Sequence, residues 1–267
     1  MKNLLLALAL LSAVPALAQT KKTTVKKKTT LVKKAPVKTA AKPTPAKTTT
    51  AAATPAPAPA APLTEAEAAS GLREALTQGI TKAVGFASEK DGFNLNDDIH
   101  IPFPADAQLV ATTLSALPGP LGKGAVEQVT NLLNRAAETA APAAKDIFLN
   151  ALQQLTLTDA LGLVTSPQKG AATQLLRQKS ETALNTALRP SIVQSLDQVG
   201  ANAAYNKLIQ RYNKLPLVTP ASADLTDYVT KETVNGLFIL LAQQEAKIRQ
   251  NPAAQGTALL KRVFGAK

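Results

Sequence analysis

Every acidic residue, every glycine and every aromatic residue of this 267-residue chain lies after Pro62. Residues 1–62 hold eleven lysines, no acid and eight of the 18 prolines. Of the 30 basic residues, 30 − 11 = 19 remain after Pro62 against all 18 acids, so the formal charge of +12 belongs almost wholly to the N-terminal stretch. A segment of this composition cannot bury enough apolar area to offset its ordering entropy. The composition therefore predicts a disordered tail over residues 19–62 and a single folded domain over residues 63–267, long enough for one hydrophobic core. The chain has no cysteine and one histidine, which excludes a disulfide scaffold, a cysteine-based metal site and thiol chemistry. Nine aromatic residues, none of them tryptophan, argue against a base-stacking nucleic-acid module.

The first residues read as an export address. Lys2 supplies a positive start, Leu4 to Val14 a short apolar run, and Ala16-Leu17-Ala18 the small-x-small pattern of a cleavage site, giving a signal peptide over residues 1–18. The run is shorter than the roughly 20 residues a helix needs to span a bilayer. This reading places the mature chain in the periplasm or outside the cell. The tail carries Lys21, Lys22, Lys26, Lys27, Lys28, Lys33 and Lys34, interleaved with threonine, and ends in an alanine-proline stretch. Lysine meets phosphate or carboxylate as a point charge without bidentate geometry, so the expected partner is an anionic envelope surface, bound electrostatically and with strong salt dependence. Lipid headgroups, lipopolysaccharide phosphates and wall polymers all qualify. A solubilising spacer with no dedicated partner is the plainer alternative. Nucleic acid becomes the partner only where the export reading fails.

The remainder reads as helices. Thr64 and Glu67 form a capping-box pattern, and Leu72, Leu76, Ile80 and Val84 recur every four residues behind it. Gly85, Asp91 and Gly92 are expected to end that helix. Ile99, Ile101 and Phe103 alternate with His100 and Pro102, an extended segment bounded by proline. Helices follow over Ala105 to Leu117, along the Val126–Val129–Leu133–Ala136–Ala140 seam, from a new start at Pro142, and from Thr158 through Val164. Further helices lead up to Pro190 and from Ile192 to Gly200, then over Asn202 to Leu215. The longest is expected from Asp224 or Thr226 to Gln250, with a short amphipathic turn at Leu259–Phe264. No alternating run of β-branched residues occurs. The fold class is all-α: a multi-helix bundle of amphipathic helices with one short extended segment.

Candidate chemistry is sparse. His100 sits between two isoleucines with no obvious partner and reads as structural. Asp91, Asn94, Asn96, Asp97 and Asp98 are rich in oxygen but lack the glycine and terminal glutamate of a calcium loop, so a polar turn is the better reading. Arg135 and Glu138 lie away from the seam of their helix; with Asp146 they form the one weak candidate for a ligand-binding groove, which needs a second layer over that face. The plain alternative is a solvated i,i+3 pair. Asp224, Asp227 and Tyr228 resemble paired carboxylates, yet acids also favour the positive end of a helix. No catalytic residue, metal ligand set or cofactor is indicated, and no phosphate-binding glycine motif appears.

Several strings belong together. They are Gly71-Leu72-Arg73-Glu74-Ala75-Leu76, Asp91-Gly92-Phe93, Ile99-His100-Ile101-Pro102-Phe103-Pro104, Asn134-Arg135-Ala136-Ala137-Glu138, Ala144-Lys145-Asp146-Ile147-Phe148, Leu215-Pro216-Leu217-Val218, Leu225-Thr226-Asp227-Tyr228-Val229 and Gly236-Leu237-Phe238. As an ordered set they resemble the bacterial family known as domain of unknown function 4197, from about Leu63 to Phe264, with the lysine tail outside. The resemblance implies a helical secreted or envelope protein and brings no activity or catalytic residue with it. Three functional readings stand: a non-enzymatic binding or scaffold domain tethered by the tail, a carrier of a lipid or small apolar ligand held between helices, and a hydrolase using carboxylates.

Overall fold

The structure is a computed structural model that describes residues 61–119, 122–154, 156, 158, 160–221, 224–252 and 256–265. The signal peptide and the lysine tail lie outside the described residues. Eight α-helices are present, and no strand occurs among the described residues. They are α1 (Glu65–Ser88), α2 (Gln108–Ser115), α3 (Lys123–Gln154), α4 (Ala160–Thr165), α5 (Ala171–Gln198), α6 (Ala201–Tyr212), α7 (Thr226–Gln250) and α8 (Ala258–Gly265). A 3-10 turn, Ala105–Ala107, leads into α2. All belong to one unit, Pro59–Lys267.

The four long helices close a ring. α1 packs on α3, α3 on α5, α5 on α7, and α7 back on α1, while the two diagonals barely touch. That is a four-helix bundle, whose apolar stripes all point to one axis. α2 and α6 pack against α3, and α4 and α8 against α1. The axis is filled by residues such as Leu72, Leu76, Ile80, Leu133, Phe148, Leu176 and Phe238, all at most 2% exposed. Phe148 and Phe238 meet edge to face with ring centres 5.1 Å apart. Each such burial removes roughly 1.5–3 kcal/mol worth of apolar side chain from water.

Local signals explain the helix starts. Thr64 Oγ1 accepts from the Glu67 amide at 3.2 Å, and the Glu67 carboxylate accepts from the Thr64 amide at 3.0 Å, closing the capping box of α1. α5 and α6 instead start behind Gly170 (φ 83°) and Gly200 (φ 77°), left-handed positions that glycine occupies without strain. Neither glycine can donate a side-chain cap, so α5 needs one from elsewhere.

Two expected breaks are absent. Pro142 lies inside α3 and Pro190 inside α5. Each removes one intrahelical hydrogen bond, a local penalty of about 3 kcal/mol. Ala140, Ala141 and Ala144 around the first are buried, as are Leu188 and Ile192 around the second. Packing on both sides outweighs the local defect, so α3 (32 residues) and not α7 (25 residues) is the longest helix. Gly85 also lies inside its helix, which runs on to Ser88. The Ile99–Phe103 segment does alternate as expected: Ile99, Ile101 and Phe103 are buried, His100 is half-buried and Pro102 exposed.

That segment seats on α7 because Gly236 has no side chain. A Cβ there would stand 2.8 Å from Phe93 Cε1 and 3.2 Å from Ile99 Cβ. Gly85, by contrast, has nothing within 4 Å of its would-be Cβ. Gly236→Ala is therefore expected to destabilise the domain by about 1–3 kcal/mol, while Gly85→Ala stabilises it by about 0.5–1 kcal/mol through backbone entropy. Urea melts of the two variants check both signs.

Candidate functional site

Glu138 on α3 is 3% exposed. Such a carboxylate needs several partners, because an ionised group left unpaired in the interior costs several kcal/mol. Its Oε1 accepts from the backbone amides of Phe93 at 3.1 Å and Asn94 at 3.2 Å. Its Oε2 accepts from Arg135 Nη1, and Arg135 Nη2 donates to Asp91 Oδ1 at 3.2 Å. Asn134, one residue before Arg135, is fully buried. Its Oδ1 accepts from the Ile101 amide and its Nδ2 donates to the Ile101 carbonyl, both at 2.8 Å, as a neighbouring strand would. The loop from Asp91 to Ile101 is thereby stapled to α3 at both ends. Asp91 turns it with φ 63°, and His100 Nδ1 lies 3.1 Å from the Asn94 carbonyl within it.

The second layer that a polar groove required is thus present, as a loop and not as helices. The Arg135–Glu138 pair is consequently not a solvated one. Asp146 is exposed on α3 and lies two to three turns further along, apart from Arg135 and Glu138. Asp91 and Arg135 face an open depression of about 430 Å³ that Glu127, Gln128 and Asn131 also line. Among the described residues, no three His, Cys, Asp or Glu side chains gather as a metal would require.

A second buried carboxylate has the same form. Glu245 on α7 is 2% exposed. It accepts from the amides of Ala172 (3.2 Å) and Thr173 (2.8 Å) and from Thr173 Oγ1 (2.6 Å), providing the cap that Gly170 cannot. Arg249, one turn on, donates to Glu245 at 2.7 Å and 2.9 Å. It also donates to the carbonyls of Val164 and Leu163 that end α4, both at 2.9 Å, and its guanidinium lies 5.4 Å from the Phe264 ring of α8. One ion pair so ties α4, α5, α7 and α8 together. Sequence reading passed over this pair and Asn134. Glu245 and Arg249 stand at i,i+4 on an otherwise apolar stripe with Leu241 and Ile248, which is the available signal.

Asp224, Asp227 and Tyr228 do meet, at the start of α7. With Asp106, Asn185, Arg189 and Lys231 they line an open cleft of about 630 Å³ between α5 and α7. Asp224, Asp227 and Tyr228 each have a local engagement, whereas Asn185 Oδ1 is buried without a hydrogen-bond partner among the described residues. Asp224 Oδ1 accepts from the Thr226 amide at 2.8 Å, which lowers its pKa. Asp227 pairs with Arg189 at 2.9 Å but stays 81% exposed. Tyr228 donates to the Pro102 carbonyl at 2.9 Å, and burial, with the charge of Glu232 beside it, pushes the phenol up to about 12.

A last charged contact joins the chain ends of the domain. Arg262 on α8 donates to Glu67 Oε1 at 2.9 Å and also reaches the Ala61 carbonyl. The Thr64 amide, then Arg262, hold the Glu67 carboxyl down from 4.5 to about 2.

Two outcomes are expected. Glu138→Ala leaves the Phe93 and Asn94 amides without their acceptor and costs about 2–4 kcal/mol; amide exchange at Phe93 and Asn94 accelerates more than exchange in α5. Because the folded pKa of Glu67 is depressed, its stabilisation is complete above pH 4.5 and is lost as pH falls toward 2. Thermal melts of Glu67→Gln should therefore fall less steeply than wild type across that window.

A protein-family model described as "Protein of unknown function (DUF4197)" matches residues 62–265. No curated protein and no solved structure matches the chain.

Proposed function

The chain belongs to the DUF4197 family, whose description assigns no activity, and we propose that it is a non-enzymatic binding or scaffold domain held at an anionic envelope surface by its lysine tail. The observation that carries the non-enzymatic part is the state of the buried charges. Glu138, Glu245 and Arg249 each hydrogen-bond backbone groups of the elements they join, and their other partners are side chains of the same clusters. A group so engaged is not available as a general acid, base or nucleophile.

The tethering part is supported by charge and by address. Eleven lysines and no acid precede Leu63, while the domain is near neutral. Cleavage of the export signal read in residues 1–18 removes Lys2 and leaves ten lysines of residues 19–62 in the periplasm or outside the cell, among lipid headgroups, lipopolysaccharide and wall polymers. Among the described residues no helix is long and apolar enough to cross a membrane.

The carrier reading has less behind it. The apolar gap lined by Ile80, Ala83, Val84, Phe148, Leu237 and Leu241 has no room for a water-sized molecule. The hydrolase reading has one observation in favour, the gathering of Asp106, Asp224 and Asp227 at one cleft. Against it, Asp227 pairs with Arg189 and lies open to solvent, not in a site that excludes water.

Co-sedimentation with anionic phospholipid vesicles tests the tether. The chain from Gln19 is expected to bind at low salt and to lose binding as salt rises, and residues 63–267 alone to bind negligibly. Equal binding by the two would sink the proposal.

A further inference from the structure

The loop between α6 and α7 carries two costs at one residue. Leu217 is 106% exposed, so its whole side chain faces water. It also holds φ 64°, a left-handed value that a turn of this kind ordinarily gives to glycine or asparagine. Pro216 precedes it and favours the turn. The loop is not loose. Asn213 Oδ1 accepts from the Ala221 amide at 2.9 Å, and Asn213 Nδ2 reaches the Ala221 carbonyl. This closes the base and leaves Leu217 midway between the closing residues. A left-handed non-glycine residue held in place by its surroundings is a mark of a functional position, and here it also holds an apolar side chain out in water.

The neighbouring charge has one sign. Lys207 and Arg211 stand one turn apart on α6, and Lys214 follows in the turn beyond; all three are exposed. None has an ion-pair partner among the described residues. No acid occurs between Asp197 and Asp224. The opposite side of α6 is committed to the domain through buried Tyr205, Leu208, Ile209 and Tyr212.

We infer that this face is a membrane-contact surface: Leu217 enters the boundary between headgroups and acyl chains of an anionic bilayer, and Lys207, Arg211 and Lys214 meet its phosphates. A protein partner would have to supply a pocket for a lone protruding leucine, whereas a lipid surface accepts one without a preformed cavity. An apolar side chain that inserts, with basic side chains that meet the headgroups, is the combination that interfacial binding uses. One leucine and three cations are too few to hold the domain by themselves. The contact therefore rests on the tail reading, with the tail supplying the first attachment and the high local concentration that makes the second contact effective. The loop would then set which way the tethered domain faces.

The absence of cysteine permits a single-site probe. In the chain from Gln19, an environment-sensitive fluorophore on Thr219→Cys keeps Leu217 in place. With vesicles of phosphatidylcholine and phosphatidylglycerol, its emission is expected to shift to the blue. The same label on Thr81→Cys of α1 should not respond. Leu217→Ser should abolish the shift and weaken vesicle binding about tenfold, the effect of losing one inserted leucine. Leu217→Gly should weaken binding similarly while raising the melting temperature, because it relieves both costs at once. A folded protein that sediments with vesicles without a shift at residue 219 overturns the inserted loop and leaves the tail tether standing. Failure of the mature chain to sediment at all overturns both. A shift produced equally by an acidic polypeptide in solution overturns the lipid assignment.

Discussion

Two buried carboxylates hold what the apolar core cannot. Glu138 and Glu245 lie on different helices, yet each accepts from two consecutive backbone amides of another segment and each has an arginine beside it on its own helix. Apolar packing drives the four long helices together but says little about where an irregular loop or a helix end must sit, because burial is not directional. Hydrogen bonds to a charged acceptor are directional and strong. Glu138 fixes the Asp91–Ile101 loop over α3, and Glu245 fixes the start of α5. The arginines then extend the constraint, to Asp91 in one case and to the end of α4 in the other.

What could be read from sequence was what is written locally. The Thr64–Glu67 box and the Leu72–Leu76–Ile80–Val84 stripe need only their own helix, and both are present. The alternation of Ile99, Ile101 and Phe103 also survives, because side-chain period follows from extended backbone whether or not a strand forms. Pro142 and Pro190 misled for the same reason: the local rule is correct about the lost hydrogen bond, but packing across the bundle decides whether the helix continues. The candidate site was half legible. Arg135 and Glu138 could be named, but their burial depends on a loop some 40 residues earlier, which periodicity cannot bring near. Glu245 left only its place with Arg249 on an apolar stripe as a signal, because its partners begin α5 some 70 residues before it.

The chain separates its tasks. Nearly all its excess charge precedes the domain, and within the domain the buried charges are turned inward to backbone. The surface of the domain left for contact with other molecules includes the carboxylate cleft beside Tyr228, the depression at Asp91 and Arg135, and the basic outer side of α6. Of these, the α6 side alone combines positive charge with an apolar side chain that the fold leaves fully in water.

The contact of Arg262 with Glu67 and Ala61 has a mechanical consequence. Tension on residues before Ala61 enters the domain where α8 clasps the start of α1. There Val263 of α8 also fills the space left by Gly71, whose would-be Cβ stands 3.0 Å from Val263 Cβ. A pull along the chain thus loads α8 as well as the start of α1. The last helix of the domain acts as a strain relief for its first.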